Sequence, residues 1–247
     1  MVLCALAGAA AAAPASAAIA PPGPADEKPP PPPPPPAHLL LIHGGSFLFE
    51  DPNFQPATEA AAIAAGFIPH YVSYPLGNLS AAVLRARAEA RRLRQKFGVE
   101  RVYAYGASAG GTLAALLAGD GLVAAAAAKA PVTDLVGWEW PLLTYGLDYY
   151  DQIAAGTDTR YRLSPLRRAA QSPILVLQGR GDRVVPLDMN EIYAAKFPRV
   201  YLRVVPGGHA TDKVRPWLVE ETIRWLAQIA HREGVAAVRA EELPKGD

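Results

Sequence analysis

Gly106-Ala107-Ser108-Ala109-Gly110 sets a serine between two glycines. It falls directly between an apolar run, Arg101 to Tyr105, and a small-residue run, Gly110 to Ala118, that reads as a helix. In such a strand–turn–helix the turn is so tight that a Cβ at either glycine would clash, and the strain lifts the hydroxyl out at the carboxyl edge of a sheet. A serine hydroxyl is a poor nucleophile near neutral pH. It needs a base within hydrogen-bond reach and an acid that orients the base. Two later apolar runs end in suitable loops: Gln178-Gly179-Arg180-Gly181-Asp182 and Val205-Pro206-Gly207-Gly208-His209. Ser108 as nucleophile, His209 as base and Asp182 as orienting acid would perform acyl transfer, and that base must be neutral, so activity should fall on acidification.

Other residues compete for these roles. Asp188 is a second candidate acid, but it opens the next helical run, where the helix dipole explains a carboxylate. Asp134 is a more distant third. Arg180-Gly181-Asp182 spells an adhesion tripeptide, which in a strand-end turn reads as coincidence. Of the remaining histidines, His231 lies in the terminal helical pattern, His38 precedes a strand and His70 sits within one. His43 belongs to Leu41-Ile42-His43-Gly44-Gly45-Ser46-Phe47, where successive glycines let backbone N–H groups converge on a developing oxyanion. The N–H of Ala109, the residue after the nucleophile, lies beside them, and His43 is read as a hydrogen-bonder that holds the loop.

The elements that must position these residues alternate. His38–Ile42, Phe67–Tyr74, Arg101–Tyr105, Ile174–Gln178 and Val200–Val205 read as strands. Helical patterns cover Pro56–Ala65, Leu79–Phe97, Gly110–Ala118 and Leu187–Phe197. Val123–Ala130 is alanine-rich enough for helix, yet the alternation requires a strand there. The last helix carries Val219, Ile223, Leu226 and Ala230 at helical spacing, with Asp212 expected as its cap. Strands alternating with helices imply βα crossovers and a parallel sheet. Leu135–Ser164 breaks the alternation and holds Trp138, Trp140, Tyr145, Tyr149, Tyr150 and Tyr161. It is expected either to cap the acyl or alcohol pocket, with Trp138 and Tyr145 binding substrate, or to pack as a small subdomain.

The 247 residues are 51% hydrophobic and carry 24 Lys+Arg against 23 Asp+Glu, a net charge of +1 that gives no field for nucleic acid or anionic lipid. The single cysteine, Cys4, excludes an internal disulfide, Cys-based zinc sites and Fe–S ligation. No segment of the body reads as a membrane span. Residues 1–20 form an uncharged alanine-rich stretch with Ala15-Ser16-Ala17 as a small-residue cleavage site. This resembles a secretory signal without its usual basic start and implies a secreted or periplasmic protein; otherwise the chain is cytoplasmic. Residues 21–36, with the run Pro29 to Pro36, read as a polyproline II linker, 37–232 as the folded domain and 233–247 as a tail.

Taken together, His43-Gly44-Gly45, Gly106 to Gly110, the Asp182 turn and Gly208-His209 resemble the α/β-hydrolase family over nearly all of 37–232. The HGG form is similar to its esterase/lipase branch, the acetyl-esterase and hormone-sensitive-lipase-like group. The dehalogenase and epoxide-hydrolase branches place Asp where Ser108 stands. The family's usual third glycine is here Ser46. The resemblance implies a three-layer fold of about six mostly parallel strands, without the usual N-terminal antiparallel hairpin, whose place the proline run takes. It also implies hydrolysis of short- or medium-acyl esters through an acyl-enzyme, with Gly45, Ser46 and Ala109 as the oxyanion donors, a small-molecule ester as partner, and neither metal nor organic cofactor. A prolyl-oligopeptidase-type serine peptidase shares the triad order, and a non-catalytic binding protein on the same fold is the third reading.

Overall fold

Two cores, one on each face of a single sheet, set the plan of the molecule. The computed structural model describes residues 36–52 and 54–231; the signal-like stretch 1–20, most of the proline linker and the tail 233–247 lie outside the described residues. The strands are β1 (Ala37–Ile42), β2 (Phe67–Val72), β3 (Val102–Ala107), β4 (Ala125–Lys129), β5 (Ile174–Gly179) and β6 (Val200–Val205). They lie in the order β2-β1-β3-β4-β5-β6, and every pairing is parallel. Side chains alternate across the sheet, so Leu40 and Ile42 enter one core while Leu39 and Leu41 enter the other.

Helices cover both faces, as an all-parallel sheet requires. On one side pack α2 (Leu79–Phe97), α3 (Ala109–Gly119) and α7 (Leu187–Lys196); on the other pack α1 (Phe54–Ala64) and α9 (Trp217–His231). Helix α2 shows the local logic. Asn78 caps its start by accepting from the Ala81 N–H at 2.9 Å, Leu79, Ala82, Val83, Ala86, Ala90 and Leu93 are buried, and Gly98 closes it with φ +87°. Strand β4 is five residues with alanine at four of them, and helix propensity alone would not choose it as a strand. Buried on both faces, its small side chains let α3 and α9 approach the sheet.

The register brings Ile42 beside Gly106, Ala107 beside Lys129 and Gly179 beside Val205, so β1, β3, β4, β5 and β6 end along one edge. Strand order reverses direction between β1 and β3, which opens a crevice at the carboxyl ends where such sheets bind ligands. The expectation for the end of the chain needs one correction. Asp212 does not cap the last helix but lies within a separate short helix, α8 (Thr211–Val214). Pro216 divides the pattern, because the residue before a proline is forced away from the α region.

The segment 135–164 folds into α4 (Trp140–Tyr145), α5 (Tyr149–Gln152) and α6 (Thr157–Leu163). Its two ends are tied together where the Leu135 N–H donates to Ser164 Oγ at 2.9 Å. Among the described residues no helix is long and apolar enough to cross a membrane.

Candidate active site

Ser108 ends β3 and begins α3, with φ +54° and ψ −119°, a conformation few non-glycine residues adopt. The glycines make it attainable. A Cβ on Gly106 would overlap the Gly110 carbonyl, and one on Gly110 would overlap the carbonyls of Ile42 and His43. The Ser108 N–H donates to the Lys129 carbonyl at 2.8 Å, which fixes the turn to the end of β4. Strain held this way keeps the hydroxyl at the sheet's carboxyl edge.

The His209 ring meets that hydroxyl, with Nε2 3.1 Å from Ser108 Oγ. Its Nδ1 lies 2.8 Å from Asp182 Oδ2. With Nδ1 protonated toward the carboxylate, Nε2 presents its lone pair to the serine proton. Asp182 is held in turn. Its Oδ1 accepts from the Val184 and Val185 N–H groups at 2.8 and 2.9 Å, and its Oδ2 from Gln178 Nε2 at 3.1 Å. Burial pushes the Asp182 carboxyl up, but the hydrogen bond and charge of His209 and the two amides outweigh it and hold the carboxyl below its ordinary range. Asn190 donates to Gln178 Oε1 at 2.7 Å, and Thr133 donates to Asn190 Oδ1 at 3.0 Å, so a buried polar chain runs under the acid. The rival carboxylates are engaged elsewhere: Asp188 accepts from the Met189 N–H and Asp134 from the Val136 N–H.

Gly44, Gly45 and Ser46 line the cavity that also contains Ser108 and His209. A Cβ at Gly44 would lie 3.3 Å from that of Ser108, so this loop backs directly on the nucleophile. Ala109, the first residue of α3, keeps an N–H outside the helix's own hydrogen-bond ladder. Ser46, which stands in place of the family's usual third glycine, is left-handed at φ +51°, followed by Phe47 at +59°. Tyrosines hold this strained loop. Tyr149 donates to the Ser46 carbonyl at 2.8 Å, Tyr145 Oη lies 3.3 Å from Ser46 Oγ, and Tyr74 donates to the His43 carbonyl at 3.0 Å. His43 is fully buried, donates from Nδ1 to the Gly44 carbonyl at 2.7 Å and stacks on Tyr74. Burial lowers its pKa, against the opposing pull of that carbonyl and of Glu50 and Asp51, and leaves a neutral ring that braces the loop.

The cavity measures about 690 Å³. Tyr145 lies in its wall, but Trp138 does not, which corrects the expectation for that residue. Trp138 is 1% exposed, and its indole donates to the Val184 carbonyl at 2.7 Å, behind the acid's loop. The tryptophan facing the cavity is Trp140, which stands edge-on to Tyr145 with ring centroids 5.5 Å apart. Composition could not separate two tryptophans in one short turn. Lys129 and Asp212 also line the cavity, joined by an ion pair of 2.5 Å. The first is buried at the end of an alanine strand, and its sequence carries no sign of a site residue. Among the described residues no group of three or more His, Cys, Asp and Glu is placed to hold a metal ion.

Solved structures share this architecture. The EstE1 carboxylesterase cloned from a metagenomic library superposes with a TM-score of 0.69 at 19% identity, covering 79% of this chain and 81% of that one. Esterase 2 of Thermogutta terrifontis, phosphonylated by sarin, gives 0.66 at 20% identity over 78% and 84%. An acetyl ester-xyloside bifunctional hydrolase from Caldicellulosiruptor lactoaceticus gives 0.66 at 17% over 80% and 84%. These likenesses establish an α/β-hydrolase fold. No curated protein matches the sequence. The family model that does match covers residues 86–231, from the middle of α2 through Ser108, Asp182 and His209 to the end of α9. That is more than half of the chain, and on it this α/β-hydrolase belongs to the prolyl oligopeptidase family.

Proposed function

We propose that the protein is a serine hydrolase that cleaves carboxylic esters of short or medium acyl chains through an acyl-enzyme. One observation carries this reading: Ser108 Oγ, His209 and Asp182 form a continuous hydrogen-bonded relay of 3.1 and 2.8 Å that opens on a cavity. Ser108 Oγ bonds to the ester carbonyl carbon as its proton passes to His209 Nε2. The N–H groups of Gly45, Ser46 and Ala109 receive the resulting oxyanion. Collapse breaks the bond to the alcohol oxygen, which takes the proton from Nε2 and leaves. Water then attacks the acyl-enzyme, gives its proton to His209, and frees the acid while Ser108 regains its hydrogen. Asp182 holds the ring's tautomer and stabilises the imidazolium formed in each half.

Two of the solved structures named above are esterases and the third is an acetyl ester-xyloside bifunctional hydrolase, and a cavity of about 690 Å³ is of a size for small molecules rather than folded protein. Family membership favours a second reading, a serine peptidase, which would use the same relay to protonate a leaving amine. Assaying p-nitrophenyl acetate beside an aminoacyl amide separates the two. The ester reading expects turnover of the acetate that disappears in Ser108→Ala, with the amide cleaved far more slowly. Efficient cleavage of the amide in place of the acetate would replace it with the peptidase.

A further inference from the structure

Lys129 is 5% exposed at the end of β4, and its ammonium lies 2.5 Å from Asp212 Oδ1. Removing both charges from water is costly, and their attraction repays it only with good geometry and further hydrogen bonds. An ammonium carries three donors. Among the described residues Asp212 is the ion partner of Lys129, and both side chains face the cavity of Ser108 and His209. The same cavity is lined by the aromatic rings of Phe49, Phe54, Trp140 and Tyr145, and by Asp51 and Glu220. An apolar ester needs no ion pair in such a wall.

We propose that the Lys129–Asp212 pair recognises hydroxyl groups, and that the ester accepted here is carried on a polyhydroxylated alcohol such as a sugar or polyol. The inference rests on the ester reading above and names its substrate class. Charge balance at the pair itself favours a neutral ligand there. A substrate carboxylate would compete with Asp212 for the same ammonium, and a substrate cation would compete with Lys129. A neutral hydroxyl donates to the carboxylate, a neighbouring one accepts from the ammonium, and the pair's charges stay balanced. The aromatic rings supply flat apolar faces for the C–H surface of a sugar ring. A cavity of about 690 Å³ also leaves room for a ring beyond a short acyl group.

Asp212 follows His209 by three residues, so the pair also ties the base's segment to the sheet. A ratio of two substrates cancels that contribution. The test compares kcat/KM for methyl 6-O-acetyl-glucopyranoside and cyclohexylmethyl acetate, two primary acetates on six-membered rings with and without hydroxyls. In Lys129→Met the ratio of sugar acetate to cyclohexyl acetate should fall about 10- to 100-fold, the worth of one or two hydrogen bonds to a charged group. Equal losses on both substrates would show a tether only and overturn the inference while leaving the ester reading intact. A wild-type protein that cleaves neither acetate overturns both. If Lys129→Met leaves Asp212 too destabilising to fold, Lys129→Met/Asp212→Leu removes both charges and is judged by the same ratio.

Discussion

At the carboxyl edge of the sheet, Ser108, Asp182 and His209 are held largely by backbone. The Ser108 N–H binds the Lys129 carbonyl, the Asp182 carboxylate takes two main-chain amides, and the Gly181 N–H binds the Gly207 carbonyl between the acid's loop and the base's loop. In the insertion 135–164 the working side chains are held by ring contacts with one another and by their own hydroxyl and indole bonds to carbonyls. Trp138 stands edge-on to Tyr149, Tyr145 stacks on Tyr149, and Tyr150 donates to the carbonyls of Leu135 and Trp138. Backbone-held groups return to the same place after a side-chain substitution nearby. A ring cluster transmits each loss to its neighbours, including the Ser46 loop that Tyr145 and Tyr149 grip. On the proposed reading the chemistry resides on the edge, and the insertion contributes Trp140 and Tyr145 to the cavity wall.

Substitutions should divide along that line. Ser108→Ala should lower kcat by about 10⁴- to 10⁶-fold with little change in Tm, because only a cavity-facing hydroxyl is lost. Steady-state kinetics beside thermal unfolding check it. Asp182→Asn keeps the shape of the acid but no longer favours the Nδ1–H tautomer, and kcat should drop about 10⁴-fold. Trp138→Ala should do the reverse, costing about 3–5 kcal/mol of stability. Differential scanning calorimetry should show a Tm lower by on the order of 10 °C, with the ranking of acyl esters preserved. Trp140→Ala should instead reorder that ranking. Tyr149→Phe removes one hydrogen bond from the Ser46 carbonyl and should reduce kcat by about 3- to 10-fold, near the value of a single neutral bond.

The smallest effect concerns pH and lies away from the site. His38 Nδ1 and His70 Nε2 are 2.9 Å apart across β1 and β2, with Phe97 stacked on His38. Burial lowers both pKa values, helped at His38 by His70, Arg101 and Lys96, and at His70 by Arg92 and Lys96 against Glu89. A histidine pKa depressed by folding contributes stability above the unfolded value of about 6.5 that is lost as pH falls through the folded value. Denaturation midpoints should thus decline from pH 7 to pH 5, and His70→Asn should flatten the decline. Asp182, also depressed, should add its own loss only below about pH 4, where the unfolded carboxyl takes up its proton.

The catalytic candidates were legible because each depends on a local pattern: a glycine pair around Ser108, and glycine turns after apolar runs at Asp182 and His209. The six-strand parallel sheet followed from alternation alone, even at the alanine strand β4. Tyr149 and Lys129 were not legible, since their partners lie far along the chain; Tyr149 reaches Ser46 across 103 residues. Gln178 and Asn190 form their pair at the meeting of β5 and α7, a contact no spacing rule encodes. Trp138 and Trp140 share composition and neighbourhood, and only the start of α4 decides which one faces the cavity.

The most direct measurement is intact-protein and peptide mass analysis after treatment with a fluorophosphonate, which reacts only with an activated hydroxyl. One adduct per chain should form, mapping to Ser108, absent in Ser108→Ala and greatly slowed in His209→Ala. A wild-type protein that stays unmodified, or an adduct that persists in Ser108→Ala, would contradict the assignment of Ser108 as the nucleophile.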